Sequence, residues 1–199
     1  MAIGTSYPIA DFLQKAGYVV HGIDISPNLI DECRKLNPNI TCKVADAEDL
    51  EYEDNYFDAT YCFHSTWYFP HLNSAIDEMI RVTRPEGMVI FDIQNRNNRK
   101  IEEGYHQNLS QGMGMRRVIK FAKNIASAIL HRSAVNWHFL FHYVVHEVPT
   151  YPEHIYQHLS EMGVATFQVM VKEEDESIHA VNGLGSFEEF GRLIFVLRK

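Results

Sequence analysis

Four short groups of residues carry the chemistry legible in this chain. Gly4-Thr5-Ser6 reads as the second half of a glycine-rich loop. Asp24 closes the apolar run Tyr18–Ile23, and Asp46-Ala47 closes the run Ile40–Val44. A glycine lets the backbone approach a ligand closely. The helix after such a loop offers its free N–H groups to an anion, and an acid at the end of the next strand accepts hydrogen bonds from ribose hydroxyls. Loop, helix, strand and acid therefore form the second half of a βαβ unit that holds adenosine. The fourth group is Phe63-His64, with Tyr68 and His71 on the same loop. An imidazole titrates near neutrality, so His64 is either a general base for a hydroxyl or amine nucleophile or a wall of the pocket. Tyr68 shares that alternative.

Two further groups promise less. His138, His142 and His146 recur every four residues in a segment that reads as a strand. On a strand they share a face, but neighbours lie about 13 Å apart along it, too far to share one ion, so a solvated or substrate-facing strand and no metal site is expected, whereas on a helix the same spacing could bring pairs of them to a metal. Cys33, Cys42 and Cys62 have no metal or redox spacing, and they read as reduced, buried thiols of a cytoplasmic protein.

These residues need a frame to hold them. A chain of 199 residues is most simply one domain, and 46% hydrophobic with 22% charged residues is an ordinary soluble composition. The net charge of −8 argues against general nucleic-acid binding. No apolar run approaches the ~20 residues of a membrane span, and the start lacks a signal peptide's pattern. Helices are expected from about Pro8 to Lys15, from Pro27 (with Ser26 as N-cap) to Leu36, and from Leu72 to Thr83. Strands are expected at Tyr18–Ile23, Ile40–Val44, Phe57–Phe63 and Met88–Phe91, the last after an Arg84–Gly87 turn. Thr150-Tyr-Pro-Glu153 reads as a capping box for a helix to about Met162, which Gly163 stops. Strands follow at Val164–Val171 and Gly191–Leu197, on either side of an acidic, hairpin-like excursion. Alternation of this kind implies an α/β fold: a doubly wound, mainly parallel sheet with helices on both faces.

The order of these motifs resembles the class I S-adenosylmethionine-dependent methyltransferases. Gly22-Ile-Asp-Ile-Ser-Pro27, Asp46-Ala-Glu-Asp-Leu50 and Arg81-Val-Thr-Arg-Pro-Glu-Gly87 are the most similar segments, and the likeness covers Met1 to about Asp92. It implies a Rossmann-like fold and S-adenosylmethionine as cofactor. It also implies cofactor contacts at Gly4, Thr5, Asp24, Ile25, Asp46, Ala47, Phe63 and His64. In that family Asp24 corresponds to the ribose ligand, and Asp46 to the side chain that reads the adenine amino group. His64 and Tyr68 become the candidate catalytic residues for methyl transfer to a small-molecule acceptor. Ala2 and Ser6 stand where the family has its first and third glycines, and the strand before them is missing. The reading is a chain truncated inside the motif, whose exposed sheet a second copy could cover. A cofactor-free interaction module and, more remotely, a nicotinamide-dependent oxidoreductase are the alternatives.

The alternating pattern breaks at 95–149, and this stretch reads as a lid inserted after the fifth strand. Within it, Met115–Leu130 has helical and Trp137–Val148 strand character. Residues 95–132 carry eight of the 18 Lys and Arg, but only Glu102 and Glu103 as acids. Such a balance either attracts an anionic acceptor, through Arg96, Arg99 and the Arg116-Arg117 pair, or is a solvated helix face.

Overall fold

The computed structural model describes residues 1–110, 148–164, 166–172, 177–181 and 187–199. The first half alternates as its patterning requires. Helix α1 (Ile9–Lys15) leads to strand β1 (His21–Asp24), helix α2 (Pro27–Leu36) and strand β2 (Thr41–Val44). Ser26 caps α2, its hydroxyl accepting the Leu29 N–H at 3.4 Å, with Pro27 in the first turn. Strand β3 (Phe57–Cys62), a single turn at Thr66–Tyr68, helix α3 (Leu72–Val82) and strand β4 (Thr83–Gln94) follow. Helix α4 (Arg99–Ser110) comes next, then α5 (Pro152–Glu161), β5 (Phe167–Lys172), β6 (Ile178–Val181) and β7 (Arg192–Arg198).

The strands form two sheets. One is the parallel pair β1-β2, and the other runs β3-β4-β7-β5-β6. Only β3 and β4 are parallel in the larger sheet; β4-β7, β7-β5 and β5-β6 are antiparallel. The architecture is therefore the expected α/β fold, with a more mixed sheet than the sequence suggests. Helix α3 buries Leu72, Ala75, Ile76, Met79 and Val82 at helical spacing. Ile76 and Met79 share a core with Val89 and Phe91 of β4, Ile155 and Leu159 of α5, and Phe195 of β7. Phe91 and Phe195 pair across the β4-β7 ladder with their rings stacked, centroids 5.2 Å apart.

Residues 1–3 lie between the two sheets. The Met1 amino group donates to the Tyr61 carbonyl of β3 at 2.6 Å, and the Ile3 N–H donates to the Ile23 carbonyl of β1 at 2.8 Å. The Ile3 side chain sits where a Cβ on Gly22 would project, so the glycine makes room for this crossing. Beneath it runs a cleft lined by His21, Ile23, Tyr52, Phe57, Ala59 and Tyr61.

Several expectations are corrected. Cys33 of α2 and Cys42 of β2 are joined as a disulfide, while Cys62 is free and buried. Packing of α2 on β2 brings together two positions whose spacing suggests separate thiols. The capping box does not form: Tyr151 occupies the N-cap without a side-chain bond, and the Thr150 hydroxyl donates back to the Val148 carbonyl. Strand β4 runs past Phe91 to Gln94, because its far end pairs with β7. The Arg84–Gly87 turn survives as a bulge inside β4. Pairing with β3 jumps from Phe57–Thr83 to Ala59–Met88, and Glu86 takes a φ of +63°. Helix α4 occupies a polar stretch where no helix is expected. The helix expected at Met115–Leu130 and nearly all of the Trp137–Val148 strand, with its histidines, lie outside the described residues.

The bulge leaves no room at Gly87. An added Cβ would stand 2.7 Å from the Asp58 carbonyl oxygen and 2.8 Å from that of Arg84, both backbone atoms. Gly87→Ala is expected to destabilise the fold by about 1–3 kcal/mol. Gly104, in α4, has nothing within 4 Å of the same position, and Gly104→Ala should stabilise by about 0.5–1 kcal/mol. Thermal unfolding of the two variants checks the contrast; equal melting temperatures would contradict it.

Candidate functional site

The first loop has an unusual backbone for its sequence. Ala2, Gly4 and Ser6 all take positive φ, at +48°, +57° and +73°. These are the three positions where the resembling family carries glycine, so the chain keeps a glycine backbone with side chains on two of its three left-handed residues. The Ser6 hydroxyl accepts from the Asn37 amide, and the Ser6 carbonyl accepts the Asp11 N–H of α1 at 3.0 Å. A Cβ on Gly4 would meet nothing within 4 Å, so this face is open to a ligand. Thr5 is half-buried beside it.

Asp24 joins the loop to β1. Its side chain lies at the carboxyl end of the strand in a residue that is only 8% exposed. Oδ2 accepts the Gly4 N–H at 3.0 Å, and Oδ1 accepts the Ser26 N–H at 2.9 Å. Each oxygen has a further lone pair, so the carboxylate can hold both backbone groups and still accept from a pair of hydroxyls. Half-buried Ile25 follows.

The end of β2 stands next to it. Asp24 and Val44 are register partners, and the Ala45 N–H donates to the Asp24 carbonyl at 3.1 Å. Asp46 accepts the Glu48 N–H at 3.0 Å, and Ala47 is buried. The following loop is held by Arg81 of α3, a role not expected from the sequence. Its guanidinium donates to the Leu50 and Tyr52 carbonyls at 2.9 and 2.8 Å, to Asp54, and to both oxygens of Glu78. Glu78 in turn accepts the Leu50 N–H at 2.6 Å. The Glu78…Arg81 spacing of three on a helix is the available signal. The Arg81 hydrogen bonds hold the Glu78 carboxyl below its usual range.

The end of β3 supplies His64, an exposed residue at φ +59° whose N–H donates to Asp92 Oδ1 at 2.8 Å. Phe63 is half-buried before it, and Tyr68 is exposed, its ring 5.8 Å from that of buried Trp67. Two residues that are not among the sequence candidates complete the group. Asp92 is fully buried, and burial pushes its carboxyl above the usual range. Arg192 of β7 sets its Nε 3.4 Å from Asp92 Oδ2, its Cζ 5.4 Å from the Trp67 ring centre, and its Nη1 3.1 and 3.2 Å from the two ring nitrogens of His64. Asp92 has a sequence signal, an acid at a strand's end. Arg192 has none, because only the antiparallel β4-β7 pairing brings it there.

The two ends of the 95–149 stretch are pinned together. Asn95 and Thr150 form a bridge, the Arg96 N–H donates to the Thr150 carbonyl at 3.1 Å, and the Val148 N–H donates to the Trp67 carbonyl at 2.7 Å. Buried Asn95 also donates to the Phe187 and Phe190 carbonyls. Of the cations expected to face an acceptor, Arg96 and Arg99 have acidic partners. The Arg96 side chain is 3% exposed and pairs with Glu102, and Arg99 pairs with Glu103 on α4. Arg99 and Glu103 lie one turn apart on α4, whereas Arg96 precedes the helix and meets Glu102 of its first turn. Arg116 and Arg117 lie outside the described residues.

The structure thus brings Gly4, Asp24 and Ser26 into direct contact and sets Asp46-Ala47 one strand away. Phe63-His64 stands across residues 1–3. Comparison with known proteins gives the fold a class. Along its whole length the chain superposes on a SAM-dependent methyltransferase of Thermotoga maritima (TM-score 0.62, 15% identity, 79% of that chain). It superposes equally on one from Archaeoglobus fulgidus (TM-score 0.63, 13% identity, 83% of that chain). The fold is that of the class I S-adenosylmethionine-dependent methyltransferases. The profile of the methyltransferase domain family matches residues 1–91. Its sequence is 30% identical over 102 residues to the sterol 4-C-methyltransferase of Caenorhabditis elegans, across 48% of this chain and 29% of that protein. It is 31% identical over 103 residues to the malonyl-[acyl-carrier protein] O-methyltransferase of Buchnera aphidicola, across 48% of this chain and 42% of that protein. The chain therefore spans less than half the length of these curated relatives. S-adenosylmethionine is the methyl donor on which those structural neighbours depend. No helix among the described residues is long and apolar enough to cross a membrane.

These contacts can be tested by unfolding. Ala2→Gly should stabilise the chain by about 1–2 kcal/mol by removing a left-handed side chain. Ser6→Gly should change little, since it also removes the Asn37 bond, worth about 1 kcal/mol. Urea unfolding separates the two, and equal effects would contradict the backbone reading. Arg81→Gln should cost about 1.5–3 kcal/mol through lost charged hydrogen bonds. Because Glu78 titrates lower when folded than unfolded, its contribution is complete above pH ~4.3 and fades as pH falls through the lowered folded value. Glu78→Gln should therefore weaken the fold at pH 7 and lose less further stability than the parent between pH 5 and pH 3.

Proposed function

We propose that this chain transfers a methyl group from S-adenosylmethionine to a small-molecule acceptor at the carboxyl edge of β1, β2 and β3. The observation that carries this reading is the Gly4–Asp24 joint: a left-handed loop bonded at 3.0 Å to a nearly buried carboxylate that retains free acceptor capacity. In this reading Asp24 takes the ribose hydroxyls, Asp46 the adenine amino group, and Ile25 and Ala47 flank the ring. Gly4 and Thr5 border the methionine portion, and Phe63 and His64 the reacting centre, with Tyr68 beside it. S-adenosylmethionine brings a methyl already activated on a sulfonium, so the protein's task is alignment of the nucleophile and exclusion of water.

The acceptor class is left open by the relatives, one of which is named a sterol 4-C-methyltransferase and another a malonyl-[acyl-carrier protein] O-methyltransferase. The 95–149 stretch is the proposed lid over the acceptor. Its two ends are tied beside the His64 turn, where open α/β sheets bind their ligands.

The test is calorimetric binding of S-adenosylhomocysteine to the full chain and to Asp24→Ala. Loss of charge-assisted hydrogen bonds worth about 1.5–3 kcal/mol predicts a ten- to hundredfold weaker Kd. An unchanged Kd, or no binding by the parent chain, would overturn the reading.

A further inference from the structure

Glu48 joins the two loops to which the proposed function gives opposite halves of the cofactor. Its backbone N–H donates to Asp46 Oδ1 at 3.0 Å, closing a turn in which an aspartate side chain bonds two residues ahead. Its own carboxylate reaches the other loop. There Oε1 accepts the His71 N–H at 2.8 Å, and Oε2 lies 3.8 Å from His71 Nδ1. His71 is the N-cap of α3, and its side chain makes no capping bond. The first N–H groups of a helix lack partners within it and carry partial positive charge, so a carboxylate suits this place. In a capping box a Glu or Gln at the third helical position takes the N-cap N–H. Ser74 stands at that position here, and Glu48 does the work from a separate loop.

The same two loops also pack together. Ala47 is buried in a cluster with Ile23, Leu50, Ala75 and Val82, and Phe69 of the second loop rests against it. Farther along, the first loop is held to the other end of α3 by Glu78 and Arg81. The Glu48 side chain is 19% exposed, whereas Asp49 and Glu51 beside it face solvent. Asp46 Oδ2 takes no hydrogen bond among the described residues. The turn therefore spends one oxygen on the Glu48 N–H and leaves the other for an incoming donor. The second loop carries His64 and Tyr68, and its Trp67 carbonyl accepts the Val148 N–H.

We propose that Glu48 is a positioning residue: by clamping the Asp46 turn to the start of α3, it holds the Asp46 carboxylate ready for an amino group and so sets selectivity for the adenine base. This rests on the methyltransferase reading, in which Asp46 takes the adenine amino group, and names the residue on which that recognition depends. Glu48 touches no ligand in this role. Without its side chain the turn at 46–48 loses its tie to His71, and Asp46 is free to direct both oxygens to solvent. The base is then held by its fit against Ile25 and Ala47, and its amino group counts for little. A glutamine amide oxygen still accepts the His71 N–H, so Glu48→Gln keeps the clamp.

The experiment uses the full chain, Glu48→Ala, Glu48→Gln and, as a control on an exposed acid of the same loop, Glu51→Ala. Each is titrated calorimetrically with S-adenosylhomocysteine and with S-inosylhomocysteine, in which an oxo group replaces the adenine amino group. Amide hydrogen exchange at residues 48 and 71 is read without ligand. The parent should bind the adenosyl compound about tenfold more tightly or better, the worth of a hydrogen bond to a charged group. Glu48→Ala should bring that ratio below about threefold, while Glu48→Gln and Glu51→Ala keep it within about twofold of the parent's. Exchange at both amides should quicken about tenfold or more in Glu48→Ala, although the substitution directly removes the His71 bond alone. Weaker binding of both compounds with an unchanged ratio, or faster exchange at residue 71 without residue 48, overturns the inference. So does a parent that binds the adenosyl compound without preference. If the parent binds neither compound, the methyltransferase reading fails, and the two amides alone decide whether Glu48 holds the Asp46 turn.

Discussion

The carboxylate of Asp24 is the joint on which the rest of the site depends. It takes two backbone N–H groups from opposite sides, Gly4 in the first loop and Ser26 at the cap of α2. A strand end, a loop and a helix start are thereby fixed by one nearly buried charge. Charged hydrogen bonds of this kind are worth more than neutral ones, and a buried carboxylate stripped of its partners would be costly. The left-handed residues at Ala2, Gly4 and Ser6 are conformations that such anchoring can maintain. Asp46 and Ala47 then fall into place through the β1-β2 register, and Arg81 holds the loop that follows them.

The two sheets meet through three residues rather than a ladder. Met1 bonds to Tyr61 and Ile3 to Ile23, and these bonds bring the end of β3 alongside the end of β1. The site thus spans a junction of modest hydrogen bonding, in contrast to the larger sheet, where Phe91, Phe195, Val89 and Leu197 are fully or almost fully buried around a continuous ladder. Asp92 and Arg192 belong to the strongly packed sheet. Asp24, the proposed ribose ligand, belongs to the smaller one.

Much of this arrangement is legible in the amino-acid sequence. The residues Pro27 to Leu36 carry their own start and stop signals, and α2 forms over that span. The strand-end acids Asp24 and Asp46 are readable because alternation of apolar runs and helices fixes where parallel strands end. What the chain hides is non-local. Cys33 and Cys42 look like two separate thiols until α2 folds onto β2. Arg96 looks like a cation for a ligand until α4 turns Glu102 toward it. Arg192 carries no local signal at all and acquires its role only through the antiparallel pairing of β7 with β4. Thr150 and Glu153 match a capping pattern, but the bridge to Asn95 claims the backbone at Thr150 instead.

The most direct measurement of the central claim is a backbone amide NMR titration of the full chain with S-adenosylhomocysteine. The account predicts that the largest shifts fall on Gly4, Thr5, Ile25, Ala47 and His64, at the three strand ends and the loop that joins them. Shifts centred on the cleft beneath residues 1–3, or spread over β5 and β6 with those five amides unmoved, would contradict it.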